Sequence, residues 1–120
     1  MAIFSTHTLD STDGTHAGSI RIRIYRISQL GVREILIDDA TDIGGRFIQE
    51  IAIKSTELQC EYELVIAIGD YFAKKGILNE GNRLQLVNEA IIRFSMPDIK
   101  AKYHIPLMIS PNSYSVWWSS

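Results

Sequence analysis

Apolar residues recur at every second position through most of this chain, and a period of two is typical of β-strands. In residues 20–25, three isoleucines alternate with two arginines and a tyrosine, so the run has one apolar and one cationic face. Similar runs cover residues 34–38, 62–68, 90–96 and 102–110, and weaker ones cover 3–8, 47–51 and 113–118. Pairs typical of turns separate the runs: Asp13-Gly14, Gly44-Gly45, Gly81-Asn82, Pro97-Asp98 and Pro111-Asn112. This spacing predicts an all-β chain, an antiparallel β-sandwich of about seven to eight strands.

One short helix is predicted after the run at residues 62–68. Asp70 can cap a helix over residues 71–75, and Gly76 can end it. Lys74 and Lys75 suit the negative end of the helix dipole. Residues 77–88 contain apolar side chains without a clear period, so the pattern does not predict their structure.

The size and charge of the chain exclude several classes of protein. Its 120 residues suffice for one hydrophobic core but not for two, so we expect a single domain over residues 1–120. A net charge of −2 gives no electrostatic reason to expect nucleic acid or an anionic membrane as a partner. Cys60 is the only cysteine, so the fold must be stable without an internal disulfide. With no charged leader and no run of about 18 apolar residues, we expect a cytoplasmic protein.

Three histidines and one arginine could carry chemistry, although each has an ordinary structural interpretation when taken alone. Tyr103, Ile105, Leu107 and Ile109 form the apolar face of the strand that contains His104. His104 is out of phase with them, so it points away from the sandwich core. A single strand histidine is more often solvated or structurally hydrogen-bonded than catalytic, and the same holds for His7. His16 follows Asp-Gly-Thr and is interpreted as a loop residue, and Arg46 follows two glycines and is interpreted as a turn residue.

The common signatures of metal and cofactor sites are missing from the sequence. There is no His-x-His, Cys-x-x-Cys or His-Glu-x-x-His spacing, so a zinc site is not expected. A Ser-His-Asp order, a glycine-rich phosphate loop and a flavin fingerprint are also absent. We therefore expect a protein that uses neither a metal nor a cofactor.

The chain ends in Val116-Trp117-Trp118-Ser119-Ser120. Two indoles left in water would be unusual, because soluble monomers rarely expose large apolar patches. We therefore expect the end of the chain to be buried, and its position after a histidine-containing strand indicates that it helps to build a pocket or an interface.

Four stretches of the chain form a recognisable set. They are residues 3–10 with Gly14 and Ala17, the turn Thr41-Asp42-Ile43-Gly44-Gly45-Arg46, residues 62–65 followed by Gly69-Asp70-Tyr71-Phe72, and residues 103–111 followed by Tyr114-Ser115. Together and in this order they resemble the 5-hydroxyisourate hydrolases, the enzymatic relatives of transthyretin. The resemblance implies a transthyretin-like (prealbumin) fold, a homotetramer built as a dimer of dimers, and a small cyclic molecule as substrate.

The resemblance also implies roles for individual residues. The catalytic positions of the family fall on His7, Arg46 and His104. A histidine can activate water at neutral pH, and a permanently charged arginine can stabilise the oxyanion that forms. We prefer His104 as the base, with His7 holding substrate or shuttling a proton, although the sequence does not decide between the two histidines. The resemblance places Tyr114, Trp117, Trp118 and Ser120 at the substrate site.

The chain differs from the family in its last residues. The family typically ends in Tyr-Arg-Gly-Ser, which lines the active site at the dimer–dimer interface, whereas this chain ends in Trp-Trp-Ser-Ser. His16 stands where a proline is usual, and Gly44 where an aspartate is usual. If the indoles line the pocket, they favour flatter and more hydrophobic rings; otherwise they pack a subunit interface.

Three functions stay open at this point. The first is ring-opening hydrolysis of 5-hydroxyisourate in urate breakdown. The second is related chemistry on another cyclic amide or heteroaromatic compound in a biosynthetic pathway. The third is non-enzymatic binding of a small aromatic ligand on a transthyretin-like scaffold.

Overall fold

The computed structural model describes residues 1–76 and 84–119. Within these ranges, ten strands form two sheets, and the sheets and one α-helix pack around one apolar core. The elements are β1 (Ala2–Asp10), β2 (Thr15–His16), β3 (Arg21–Ile27), β4 (Arg33–Ala40), β5 (Arg46–Ile51), β6 (Glu61–Ile66), α1 (Ile68–Lys75), β7 (Ala90–Phe94), β8 (Lys102–His104), β9 (Leu107–Ser110) and β10 (Ser113–Val116), with a short 3₁₀ turn at Ser55–Glu57. The predicted β-sandwich with one short helix is confirmed.

The strand count differs from the predicted seven to eight for two reasons. The run predicted at residues 102–110 is divided into β8 and β9 at Pro106, which has no N–H to donate to a neighbouring strand. A two-residue strand, β2, also pairs with the end of β1, where the sequence indicates only a turn and a loop.

The first sheet is mixed rather than purely antiparallel. Its central strand β1 pairs antiparallel with β2 and β5 but parallel with β8 and β9, and β10 pairs antiparallel with β9. Only neighbouring strands joined by tight turns have to be antiparallel, and about 90 residues separate β1 from β8, which leaves the chain free to return in the parallel direction. The second sheet is antiparallel throughout, in the order β4-β3-β6-β7.

Alternating burial along the strands produces the core. Along β1, even-numbered residues such as Phe4 and Thr6 are buried, whereas Ser5 and His7 lie half-buried on the opposite face. In and beside β8 and β9, the predicted apolar face is confirmed, and its buried residues are Tyr103, Ile105, Leu107 and Ile109. The apolar residues of the first sheet face the second sheet. The outer face of the first sheet therefore carries Ser5, His7 and their neighbours.

The helix begins earlier than predicted, and the cap assigned to Asp70 is wrong. Helix α1 starts at Ile68, directly after β6, because Ile68 and Phe72 are fully buried in the core. Asp70 therefore lies in the first turn, where its carboxylate contacts Lys74 Nζ at 3.0 Å, one helical turn away. The predicted end is confirmed, since Gly76 adopts φ 81° and donates its N–H to Ala73 O.

A buried carboxylate ties the helix to the first sheet. Asp10, at the end of β1, accepts hydrogen bonds from the Tyr71 hydroxyl at 2.9 Å and the Thr12 hydroxyl at 2.6 Å. It also forms an ion pair with Lys75, whose Nζ lies 2.6 Å from Asp13. The β1–β2 turn and α1 are thus held together by charge-assisted hydrogen bonds.

Residues 77–83, including the predicted turn at Gly81-Asn82, lie outside the described residues. Just beyond them, the Asn112 side chain holds the extended chain by donating to Leu84 O and accepting from Leu86 N–H, both at 2.7 Å. Among the residues that the structure describes, no helix is long and apolar enough to cross a membrane.

Candidate active site

Strand register brings the three predicted catalytic residues to one face. His7 on β1 is the direct partner of Arg46 on β5, and Ser5 on β1 is the direct partner of His104 on β8. Paired residues on adjacent strands have side chains on the same face of the sheet. His7, Arg46 and His104 therefore share the outer face of the first sheet, across three neighbouring strands.

A cleft of about 500 Å³ opens on this face. Arg46, His104 and Ser5 contribute to its wall, together with two carboxyl side chains, Asp39 and Asp42. The cleft combines a permanent cation, an imidazole and a hydroxyl group, which suits a polar small molecule. His7 does not line the cleft itself but lies beside it, next to Arg46.

His104 is held by contacts on both sides of its strand. Its Nδ1 lies 2.9 Å from Ser5 Oγ, which leaves Nε2 available for a substrate or a water molecule. Its main-chain N–H and C=O pair with Ser119 at 3.2 and 2.8 Å. Ser5 was not predicted as a site residue; the available signal was its position two residues before His7, on the same strand face.

His7 is surrounded by groups that keep it neutral. Its Nε2 lies 2.8 Å from His16 Nδ1 and 3.1 Å from Gly44 O. Burial lowers the pKa of His7, and the charges of Arg46, His16 and His104 lower it further, against the opposing effect of the Gly44 carbonyl. A histidine that stays neutral at physiological pH can accept a proton, which is the property a general base needs.

His16 is the second residue at the site that was not predicted from the sequence. It was interpreted as a loop residue, but it lies in β2 and pairs with Leu9, the residue two positions after His7. Because residues two apart share a strand face, this pairing brings the two imidazoles together, with ring centroids 4.9 Å apart. The only signal in the sequence was the histidine at a position where the family usually has a proline.

Arg46 begins β5 directly after a tight turn. Asp42 Oδ1 accepts hydrogen bonds from the N–H groups of Gly44 and Arg46, both at 2.9 Å. Gly45 adopts φ 77°, and a Cβ there would lie 2.4 Å from Thr8 O, so a larger residue would not fit. The guanidinium itself is exposed and makes no ion pair within residues 1–76 and 84–119, so it can bind an anionic group.

The tail continues the register of β10 along β9 and β8. Trp117 donates its N–H to Pro106 O at 3.3 Å, and Ser119 reaches His104. Trp117 and Trp118 stay 45% and 63% exposed, and they line a separate apolar cavity of about 510 Å³ beside Phe94.

Within one chain, the structure therefore does not bring the two indoles to the cleft that contains Arg46 and His104. Tyr114 is the partner of Ile109, whose side chain is buried in the core, so Tyr114 lies on the face opposite to that of His104. Ser120, the fourth predicted tail contact, lies outside the described residues.

The model of the HIUase/Transthyretin family matches residues 4–118. The chain is 33% identical to the 5-hydroxyisourate hydrolase of Ralstonia nicotianae, with 100% of both chains covered. It is 29% identical to that of Halalkalibacterium halodurans, which covers 97% of this chain and 96% of the relative.

The fold is shared with a solved relative as well. The structure of Klebsiella pneumoniae 5-hydroxyisourate hydrolase matches at a TM-score of 0.78 and 25% identity, and it covers 100% of both chains. The sequence and the structure of this chain both match these relatives over nearly its whole length, including the strands that carry His7, Arg46 and His104. The chain belongs to the HIUase/transthyretin family.

Proposed function

We propose that this protein hydrolyses 5-hydroxyisourate and opens its ring. Relatives that carry this name in Ralstonia nicotianae and Halalkalibacterium halodurans are similar over the whole chain. The observation that carries the proposal is the register of β5, β1 and β8, which places a cation and two imidazoles on one face of the sheet.

His104 acts as the general base in this proposal. If its Nδ1 donates a proton to Ser5 Oγ, at 2.9 Å, its Nε2 carries the lone pair and can take a proton from water. The water oxygen then bonds to the acyl carbon of the ring, and negative charge develops on the acyl oxygen. Arg46 in the same cleft stabilises this oxyanion with its fixed positive charge.

Ring opening then requires a proton at the departing nitrogen. The C–N bond breaks as the oxyanion collapses, and the proton taken by His104 returns to that nitrogen. His7, beside Arg46, binds the substrate or shuttles this proton, since its depressed pKa keeps it neutral before the reaction. The balance is one water added and one C–N bond broken, with no net proton taken up.

The proposal also includes the oligomeric state of the protein. We expect a homotetramer, a dimer of dimers, in which the tails of neighbouring subunits cover Trp117 and Trp118 or carry them to a substrate site. Ser120, Tyr114 and both tryptophans then contribute to substrate binding from the assembled interface. A cytoplasmic location is proposed as well, since the single Cys60 means that the fold needs no internal disulfide.

A second candidate function is the same chemistry on a flatter, more hydrophobic heterocycle. It is favoured by the two exposed indoles, each of which can stack on a planar ring for about 0.5–1.5 kcal/mol. The triple change Trp117→Tyr, Trp118→Arg and Ser119→Gly restores the tail typical of the family. If the tail reaches the substrate, this variant should hydrolyse 5-hydroxyisourate faster than the wild type does.

The direct test mixes the purified protein with freshly generated 5-hydroxyisourate and follows the loss of its ultraviolet absorbance. The proposal predicts decay faster than the spontaneous reaction, with Arg46→Ala slower than the wild type and with a weaker apparent affinity. Decay at the spontaneous rate in the wild type and in the triple variant would exclude 5-hydroxyisourate as the substrate. It would leave the second candidate or the binding function.

A further inference from the structure

His16 contacts a proposed catalytic residue but has no place in the reaction described above. Its Nδ1 lies 2.8 Å from His7 Nε2, and the two ring planes are 31° apart. A nitrogen–nitrogen distance of this length is a hydrogen bond, so one of the two atoms carries the proton and the other accepts it.

The Gly44 carbonyl decides which nitrogen is the donor. It lies 3.1 Å from the same His7 Nε2, and a carbonyl oxygen can only accept. An unprotonated Nε2 would direct its lone pair at that oxygen, which is unfavourable. The proton therefore lies on His7 Nε2, shared between Gly44 O and His16 Nδ1, and the second nitrogen of His7, Nδ1, keeps its lone pair.

We propose that His16 is a positioning residue for His7: it accepts the Nε2 proton at its own Nδ1 and so holds Nδ1 of His7 as the basic atom. The proposal rests on the proposed hydrolase function for its catalytic consequence, but the proton placement itself does not depend on that function. When His7 takes up a proton at Nδ1, the neutral His16 accepts a charge-assisted hydrogen bond from the imidazolium.

His16 can support His7 only while His16 is uncharged. The charged and titratable groups that face His7 are Arg46 on β5, His104 on β8 and His16 on β2. Protonating both His7 and His16 would place two like charges 2.8 Å apart beside the guanidinium. A proton on one imidazole therefore disfavours a second proton on the other.

The position of His16 is built into the fold. Asp13 Oδ1 accepts hydrogen bonds from the Thr15 N–H at 2.9 Å and its hydroxyl at 2.6 Å, which fixes the turn before β2. The β1–β2 register then pairs Leu9 with His16. A metal ion bridging the pair would need a third ligand, and no suitable group of three occurs among residues 1–76 and 84–119.

The proton placement can be tested by nitrogen-15 NMR of the intact protein across a pH titration. We expect His7 to carry its proton on Nε2 at neutral pH. His16→Ala should shift the titration of His7, because His7 loses the acceptor of its Nε2 proton, while the signals of His104 serve as an internal control. A His7 proton on Nδ1, or a His7 titration curve that is the same in both proteins, would overturn the proposal.

The catalytic consequence is tested with two variants at the same position. His16→Ala should lower kcat about tenfold, the effect of losing about one hydrogen bond, with little change in KM. His16→Asn keeps an acceptor, the amide oxygen, so it should restore most of the rate. Equal rates for wild type and His16→Ala, or no rescue by asparagine, would refute the positioning role.

The two proposals fail separately. A wild-type protein without activity on 5-hydroxyisourate would refute the proposed function, and the titration would still decide whether His16 sets the proton position of His7. If the wild-type protein hydrolyses 5-hydroxyisourate but the titration of His7 is the same with and without His16, only the role of His16 is refuted.

Discussion

Three contacts between single residues, at His104 and His7, determine how the proposed active site can work. Ser5 and His104 are 99 positions apart in sequence, yet their side chains meet at 2.9 Å because β1 and β8 are parallel neighbours. His7 meets Gly44 and His16 in the same way, across β1, β2 and the turn before β5. In each case a hydrogen bond occupies one ring nitrogen of a histidine and leaves the other free.

At this scale we predict that Ser5→Ala lowers kcat about tenfold, because His104 loses the partner that orients its ring. Ser5→Thr keeps the hydroxyl group and should lose little activity. His104→Ala should lower turnover about 10²-fold or more, the range for loss of general acid–base catalysis. Ring-opening rates and thermal unfolding should be measured together for all three variants, and full activity in His104→Ala would contradict the assignment of the base.

At the scale of elements, the connection between helix α1 and the first sheet depends on charge. Burial raises the pKa of Asp10, but hydrogen bonds from Lys75, Thr12 and Tyr71 outweigh it, so the pKa lies below its usual value. Hydrogen bonds from the same lysine and from Thr15 lower the pKa of Asp13 to about 2. In turn, burial and the Asp10 hydrogen bond raise the pKa of Tyr71 to about 12.

These shifts predict a loss of stability in acid. A carboxylate with a lower pKa in the folded state stabilises the fold above its unfolded pKa, about 4, and the stabilisation is lost as the pH falls through the lower folded-state pKa. Asp10→Asn should therefore be less stable than wild type at pH 7, by roughly 2–3 kcal/mol, and the difference should shrink as the pH falls through the acidic range. This is less than for a fully buried pair, because Lys75 is partly exposed.

Urea unfolding of wild type and Asp10→Asn at pH 7 and pH 3 measures this effect. Asp13→Asn is the matched control, since Asp13 contacts the same lysine from an exposed position and should cost less stability. Equal midpoints for Asp10→Asn and wild type at pH 7 would show that the Asp10–Lys75 ion pair does not hold the helix.

For the whole molecule, the exposed apolar surface indicates an assembly. The edge strands β7 and β10 lie on the same side of the sandwich, where Ile91 is 50% exposed and the two indoles flank an apolar cavity. Soluble monomers rarely leave such a surface in water.

We therefore predict a particle of about four times 13.6 kDa in light scattering at micromolar concentration. Trp117 and Trp118 are the only tryptophans in the chain, so their fluorescence should shift to the red when dilution dissociates the assembly. A monodisperse monomer at micromolar concentration would contradict this prediction.

Local patterns in the sequence were sufficient to predict the fold class, the end of the helix and the face on which His104 lies. Each of these depends on neighbours within a few residues: alternation along a strand, or a glycine that accepts a positive φ. The predicted start of the helix was wrong, because burial of Ile68 outweighed the capping preference of Asp70.

The pairing partners were decided by the tertiary structure. The long chain between β1 and β8 allows their parallel direction. The contact of Ser5 with His104 and the hydrogen bond between His7 and His16 depend on strand register. Register is set by how whole strands fit the core and their turns, and a shift of one residue would turn every side chain to the opposite face. The sequence by itself indicated which residues could be catalytic, whereas only the folded sheet decided which ring nitrogens of His7 and His104 have hydrogen-bond partners.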